Sequence, residues 1–75
     1  MFEQIQKIIA EQFNMKKEDI TSQTSFYNDL GADSLDLFQI ITQIEDEFDI
    51  EFSNEDAEKI KTVGDAVNYI KSKKG

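Results

Sequence analysis

Apolar residues along this chain recur mostly at three- and four-residue spacings, and no stretch alternates long enough to specify a strand. Phe2, Ile5, Ile8, Ile9 and Phe13 predict a first helix from about Phe2 to Phe13, ended by Asn14. A long connection rich in Thr, Ser, Asn and Asp follows, from about Met15 to Asp33. A loop of that length counts against an element assignment unless it is functional, and here Ile20, Phe26, Tyr27 and Leu30 are available to pin it to the core. Gly31 is its natural positive-φ residue.

The second helix is predicted from about Ser34 to Phe48. Leu37, Phe38, Ile41, Ile44 and Phe48 make its apolar stripe, while Asp36, Gln39, Gln43 and Asp46 lie on another face. A short third helix is expected from about Asn54 to Lys61, capped by Ser53 or Asn54, with Ala57 and Ile60 inward. Thr62 caps a fourth, from about Val63 to Lys73, whose terminal lysines suit the helix dipole. The fold class is all-α, a small bundle of three main helices plus one short helix with a long first loop. One domain covers residues 1–75. The expected core comprises Phe2, Ile5, Ile9, Phe26, Leu30, Phe38, Ile41, Ile44, Phe48, Phe52, Ala57, Ile60, Ala66, Tyr69 and Ile70.

Composition narrows the chemistry. A chain of 75 residues buries only about 60% of its unfolded surface, so the core is thin. With neither histidine nor cysteine, Ser-His and Cys-His catalysis and the usual zinc sites are excluded. The chain has little room for an enzyme-sized pocket, and a non-enzyme is expected. No apolar run approaches the roughly 18 residues of a membrane span. The start, Met1 to Gln4, does not resemble a secretory signal, and the absence of cysteine suits the cytoplasm.

Charge narrows the partners. The net charge is −8, from 16 acidic residues against 8 lysines, and no basic residue occurs between Glu18 and Glu58. Nucleic acid and anionic lipid are therefore poor partners, and basic protein surfaces good ones. The stretch Asn28 to Asp33 lacks the register of an EF-hand loop, so any metal binding is expected to be loose.

One segment carries more than structure. Asp29-Leu30-Gly31-Ala32-Asp33-Ser34-Leu35-Asp36 is a turn that delivers a serine to the start of the longest acidic helix. Asp33 or Ser34 serves as an ordinary N-cap there, with Asp36 in the first turn. A phosphodiester on Ser34 would meet unpaired N–H groups and the positive end of the dipole, so the position also tolerates modification.

This segment resembles the acyl carrier proteins of dissociated (type II) fatty acid synthases, whose Asp-Ser-Leu marks the modified serine. The resemblance runs from about Phe26 to Ile70. It includes Ile44-Glu45-Asp46-Glu47-Phe48, Ala57-Glu58-Lys59-Ile60 and Thr62-Val63. It implies a non-catalytic carrier of growing acyl chains. Ser34 would receive 4'-phosphopantetheine from coenzyme A, and no residue of the chain is assigned to a metal site. A carrier synthase and fatty acid synthesis enzymes with basic patches would be partners of a cytoplasmic monomer. Asp33, Leu35, Asp36, Gln39, Thr42, Glu45 and Asp46 would form the partner surface. Phe26, Phe38, Ile41, Ile44, Phe48 and Ile60 would line the acyl pocket.

Gln39, where the family often has an acidic residue, and Thr42, where it often has methionine, leave partner preference open. Phe38 stands at a core-facing place where valine is common, and is expected to shorten or redirect the pocket. A carrier for polyketide, peptide or cell-wall chemistry remains an alternative, as does an unmodified acidic interaction module.

Overall fold

The computed structural model describes residues 1–74. Helix α1 runs Phe2–Phe13, α2 Ser34–Phe48, α3 Asn54–Lys59 and α4 Val63–Lys74, with a 3-10 turn at Lys17–Asp19. Each long helix turns one stripe inward. Ile5 and Ile9 come from α1, Leu37, Ile40, Ile41 and Ile44 from α2, and Val63, Ala66, Val67 and Ile70 from α4. Asn14 and Asp49 end α1 and α2 in the left-handed conformation, at φ 54° and 55°, each donating its N–H to the carbonyl four residues back.

The long connection is ordered by its own two anchors and by what it touches. Ile20 and Phe26 are fully buried in the core. Gln6 Nε2 donates to the carbonyls of Lys17 and Ile20 at 3.1 and 2.7 Å, fastening the start of the loop to α1. The middle is stitched to the α3–α4 junction: Phe26 N donates to Lys61 O, Val63 N to Thr24 O, and Gly64 N to Ser22 O. Such backbone pairing satisfies groups that a merely collapsed loop would leave orphaned. Gly31 adopts φ 66°, the conformation that releases the chain into α2.

Four expectations need correction. Phe38 is 51% exposed, and Ile40 takes its place in the α2 stripe. The cause is angular: at about 100° per residue Phe38 stands a quarter-turn from Leu37, outside the arc shared by Ile40, Ile41 and Ile44. Tyr27 is 47% exposed, because its neighbour Phe26 takes the core position in this turn. Helix α3 stops at Lys59, since Ile60 is buried in an extended conformation (φ −79°, ψ 104°) rather than on a helical face. Helix α4 continues one residue further, to Lys74.

Candidate functional site

The start of α2 is built by a reciprocal cap. Asp33 is the N-cap: its Oδ1 accepts from Asp36 N at 3.0 Å, and Asp36 Oδ2 accepts from Asp33 N at 3.3 Å. Asp33 therefore does the capping, which leaves Ser34 in the first helical position. Its side chain is exposed, and among the described residues its hydroxyl has no hydrogen-bond partner. Of the four donors orphaned at this helix start, Asp33 N pairs with Asp36 Oδ2 and Asp36 N with Asp33 Oδ1, while Leu37 N makes the first intrahelical bond, to Asp33 O. The N–H groups of Ser34 and Leu35 remain for a ligand or water. The turn behind them is tight, with Ala32 buried and its N–H donated to Phe26 O at 2.8 Å.

Ser34 also lies at the edge of a cavity of about 150 Å³, lined by Tyr27, Ser34, Leu37, Phe38, Ile41, Ala57 and Glu58. One wall is the ridge Ser34, Leu37, Phe38 and Ile41, residues that share a helical face. The opposite wall is α3. A cavity of this volume takes roughly one benzene-sized apolar group. Ser34 thus combines a free hydroxyl, two unpaired N–H groups and an adjoining apolar space. Those features fit a serine-linked phosphodiester carrying an apolar cargo, although the carboxylates of Asp33 and Asp36 oppose an added negative charge.

Of the expected pocket residues, Phe38 and Ile41 line this cavity. Phe26, Ile44 and Ile60 lie in the core, and Phe48 is half-buried against it. Leu37, Tyr27, Ala57 and Glu58 were missed. The spacing from Ser34 marks Leu37, whereas the other three are brought in by tertiary packing.

The expected partner surface is divided in its bonding. Asp33, Leu35, Gln39, Thr42 and Asp46 are exposed, Leu35 to 71%, while Asp36 and Glu45 are half-buried. Gln39 Oε1 accepts from Gln12 Nε2 at 2.6 Å, and Gln12 Oε1 accepts from Gln43 Nε2, tying this face to α1. The Thr42 hydroxyl donates back to Phe38 O at 2.9 Å and so offers its methyl group outward. Glu45 Oε2 accepts from Phe52 N at 2.7 Å, a structural bond sequence reasoning did not foresee.

Behind α3, away from the cavity, Tyr69 of α4 reaches back across the α2–α3 connection. Its hydroxyl lies 2.9 Å from Asp56 Oδ2 and 3.1 Å from Glu51 O, and its ring stacks on Phe52 at 4.1 Å. Among the described residues there is no group of three or more acidic side chains placed to hold a metal ion, and no helix long and apolar enough to cross a membrane.

Comparison with known proteins agrees with this geometry. Residues 3–70 match the family described as the phosphopantetheine attachment site. The chain is 55% identical over 75 residues to the acyl carrier protein of Lactobacillus acidophilus, covering 100% of this chain and 94% of that one. It is 50% identical over 72 residues to the acyl carrier protein of Clostridium acetobutylicum, covering 96% and 94%. The solved structure of acyl carrier protein from Enterococcus faecalis superposes with a TM-score of 0.82 at 44% identity, covering 95% of this chain and 90% of that one.

Proposed function

The chain belongs to the acyl carrier protein family, with its phosphopantetheine attachment site, and on that premise we propose that Ser34 Oγ is the atom that takes the 4'-phosphopantetheine arm. The observation that supports this reading is that Asp33 caps α2, leaving the hydroxyl of Ser34 exposed and unpaired beside an apolar cavity. When bound, the arm supplies a thiol on which acyl groups of fatty acid synthesis are held as thioesters.

The chain's own residues position rather than react. The Asp33–Asp36 cap fixes the turn, the unpaired N–H groups of Ser34 and Leu35 would be available to a phosphodiester there, and Leu37, Phe38 and Ile41 would cover the cargo. With no histidine or cysteine, the chain itself has no obvious nucleophile–base pair, which suits a carrier that is a substrate of a transferase rather than an enzyme.

The partner surface centres on exposed Leu35, an apolar anchor flanked by Asp33 and Asp36, with Asp46 further along α2. Its complement is a basic patch on a carrier synthase or a fatty acid synthesis enzyme. Such charges raise encounter rates and set orientation more than they add affinity, so salt slows the encounter. A net charge of −8 also repels a second copy, which favours a monomer. The reading includes a cytoplasmic location, where a cysteine-free chain needs no oxidising compartment. Incubation with coenzyme A, magnesium and a phosphopantetheinyl transferase should add one arm to wild type and none to Ser34→Ala.

A further inference from the structure

Helix α3 forms one wall of the cavity beside Ser34, yet six residues cannot sustain a helix alone. Its position depends on what holds its two ends. The C-terminal end runs into a junction fixed by backbone pairing: Phe26 N donates to Lys61 O, and Ser25 bridges Thr62. At the N-terminal end, beside the Glu45–Phe52 bond and the packing of Ile50 and Phe52 against the core, the contacts converge on one side chain. Tyr69 stacks on Phe52, donates towards Glu51 O and Asp56 Oδ2, and is itself covered by the Lys73 ammonium 5.5 Å from the ring centroid. Asp56 immediately precedes Ala57 and Glu58, the two residues that α3 gives to the cavity.

We propose that Tyr69 is a positioning residue for the cargo: by holding Glu51, Phe52 and Asp56 it fixes how far α3 stands from α2, and so how large an acyl chain the cavity accepts. The proposal rests on the reading that this cavity takes the cargo of Ser34. As it stands, the cavity takes roughly a benzene-sized group. A longer chain needs α3 to move outward. The well-anchored end at Lys61 makes the hinge, and the Tyr69 contacts make the clasp. Each methylene that gains cover shifts the equilibrium between sheltered and exposed chain by about fourfold.

Tyr69→Phe keeps the ring on Phe52 and removes both hydroxyl contacts. In the unloaded protein, hydrogen exchange should quicken at the amides of Ala57, Glu58 and Lys59 in α3 and of Ile60, which caps it, by roughly ten- to a hundredfold, the worth of a hydrogen bond to a charged group. The amides of Ile9 and Ile44 should change much less. Asp56→Asn, which keeps an acceptor oxygen, should fall between wild type and Tyr69→Phe. Equal quickening at all sites, or none at α3, overturns the clasp.

The second arm compares cleavage by hydroxylamine of straight-chain thioesters of increasing length, carried by wild type and Tyr69→Phe. The variant should protect longer chains better relative to short ones, and parallel length profiles overturn the role in cargo size. If neither protein takes the pantetheine arm, the carrier reading fails, and with it the link to cargo. The exchange comparison still decides whether Tyr69 clasps α3.

Discussion

Glu45 of α2 and the backbone N–H of Phe52 are joined by a 2.7 Å hydrogen bond across the turn that leaves the helix. The carboxylate thus serves the fold at a position where the resemblance assigns it to a partner surface. Glu45→Ala should cost about 1–2 kcal/mol, as expected for a half-buried bond to a charged acceptor, lowering the melting temperature by several degrees. Exposed Asp46→Ala should stay within about 0.5 kcal/mol. Thermal unfolding of the two variants side by side checks the contrast.

The Tyr69–Asp56 pair gives stability a defined pH window. Asp56 is held below its ordinary value of 3.8, chiefly by the Tyr69 hydroxyl and then by Ser53, with Lys59 and Lys73 adding to this against some desolvation. A lowered carboxylate contributes stability that is present above 3.8 and is lost as pH falls through the folded value. Tyr69 is raised above its ordinary 10.0 by burial first and by Asp56 second. Its contribution is present below 10.0 and is lost as pH rises through the folded value. The stability difference between wild type and Tyr69→Phe should therefore be flat between about pH 5 and pH 9 and shrink on either side. Denaturant unfolding of both proteins across that range measures it.

Phe38 and Ile40 are near neighbours with opposite roles. Ile40 is fully buried, so Ile40→Ala should cost 2–5 kcal/mol, by a general range of about that size for deleted core side chains, and threatens the fold of so small a domain. Phe38 is half-exposed at the cavity mouth, so Phe38→Val should cost about 1 kcal/mol or less. The same change should widen the mouth and alter which thioester lengths resist hydroxylamine. Melting curves and cleavage rates together test both statements.

At Gly64 a packing contact decides the sign of a substitution. A methyl group there would stand 2.8 Å from Ser22 O, the carbonyl that accepts the Gly64 N–H at 2.7 Å. Helix propensity alone would favour alanine by about 1 kcal/mol. The clash is with backbone, which cannot rotate away, so Gly64→Ala should instead destabilise by about 1–3 kcal/mol and loosen the Ser22–Thr24 segment. Thermal unfolding shows the sign directly.

What the sequence disclosed followed the range of the forces involved. Helix positions were legible because the periodicity of Ile5 and Ile9, or of Leu37, Ile41 and Ile44, is local. The Asp33-Ser34-Leu35-Asp36 cap was legible for the same reason, although only the structure assigns capping to Asp33 and frees Ser34. Phe38 is as hydrophobic as the stripe residues, but its helical angle sets it outside the arc of Leu37, Ile40, Ile41 and Ile44. The bonds of Tyr69 to residues 13 and 18 positions away, of Glu45 to Phe52, and of Gln12 to Gln39 lie beyond any local pattern. So does the α3 wall of the cavity, which exists only once the long loop has paired with the α3–α4 junction.

The central claim concerns one oxygen atom, Ser34 Oγ, and localising the modification tests it most directly. No lysine or arginine lies between Lys17 and Lys59, so a tryptic peptide of this region also contains Ser22, Ser25 and Ser53, and fragmentation is needed to separate them. After incubation with coenzyme A, magnesium and a phosphopantetheinyl transferase, fragment masses should place a single pantetheine phosphodiester on Ser34, and Ser34→Ala should stay unmodified. An unmodified wild type, or an arm found on another serine or gained equally by Ser34→Ala, would contradict the account.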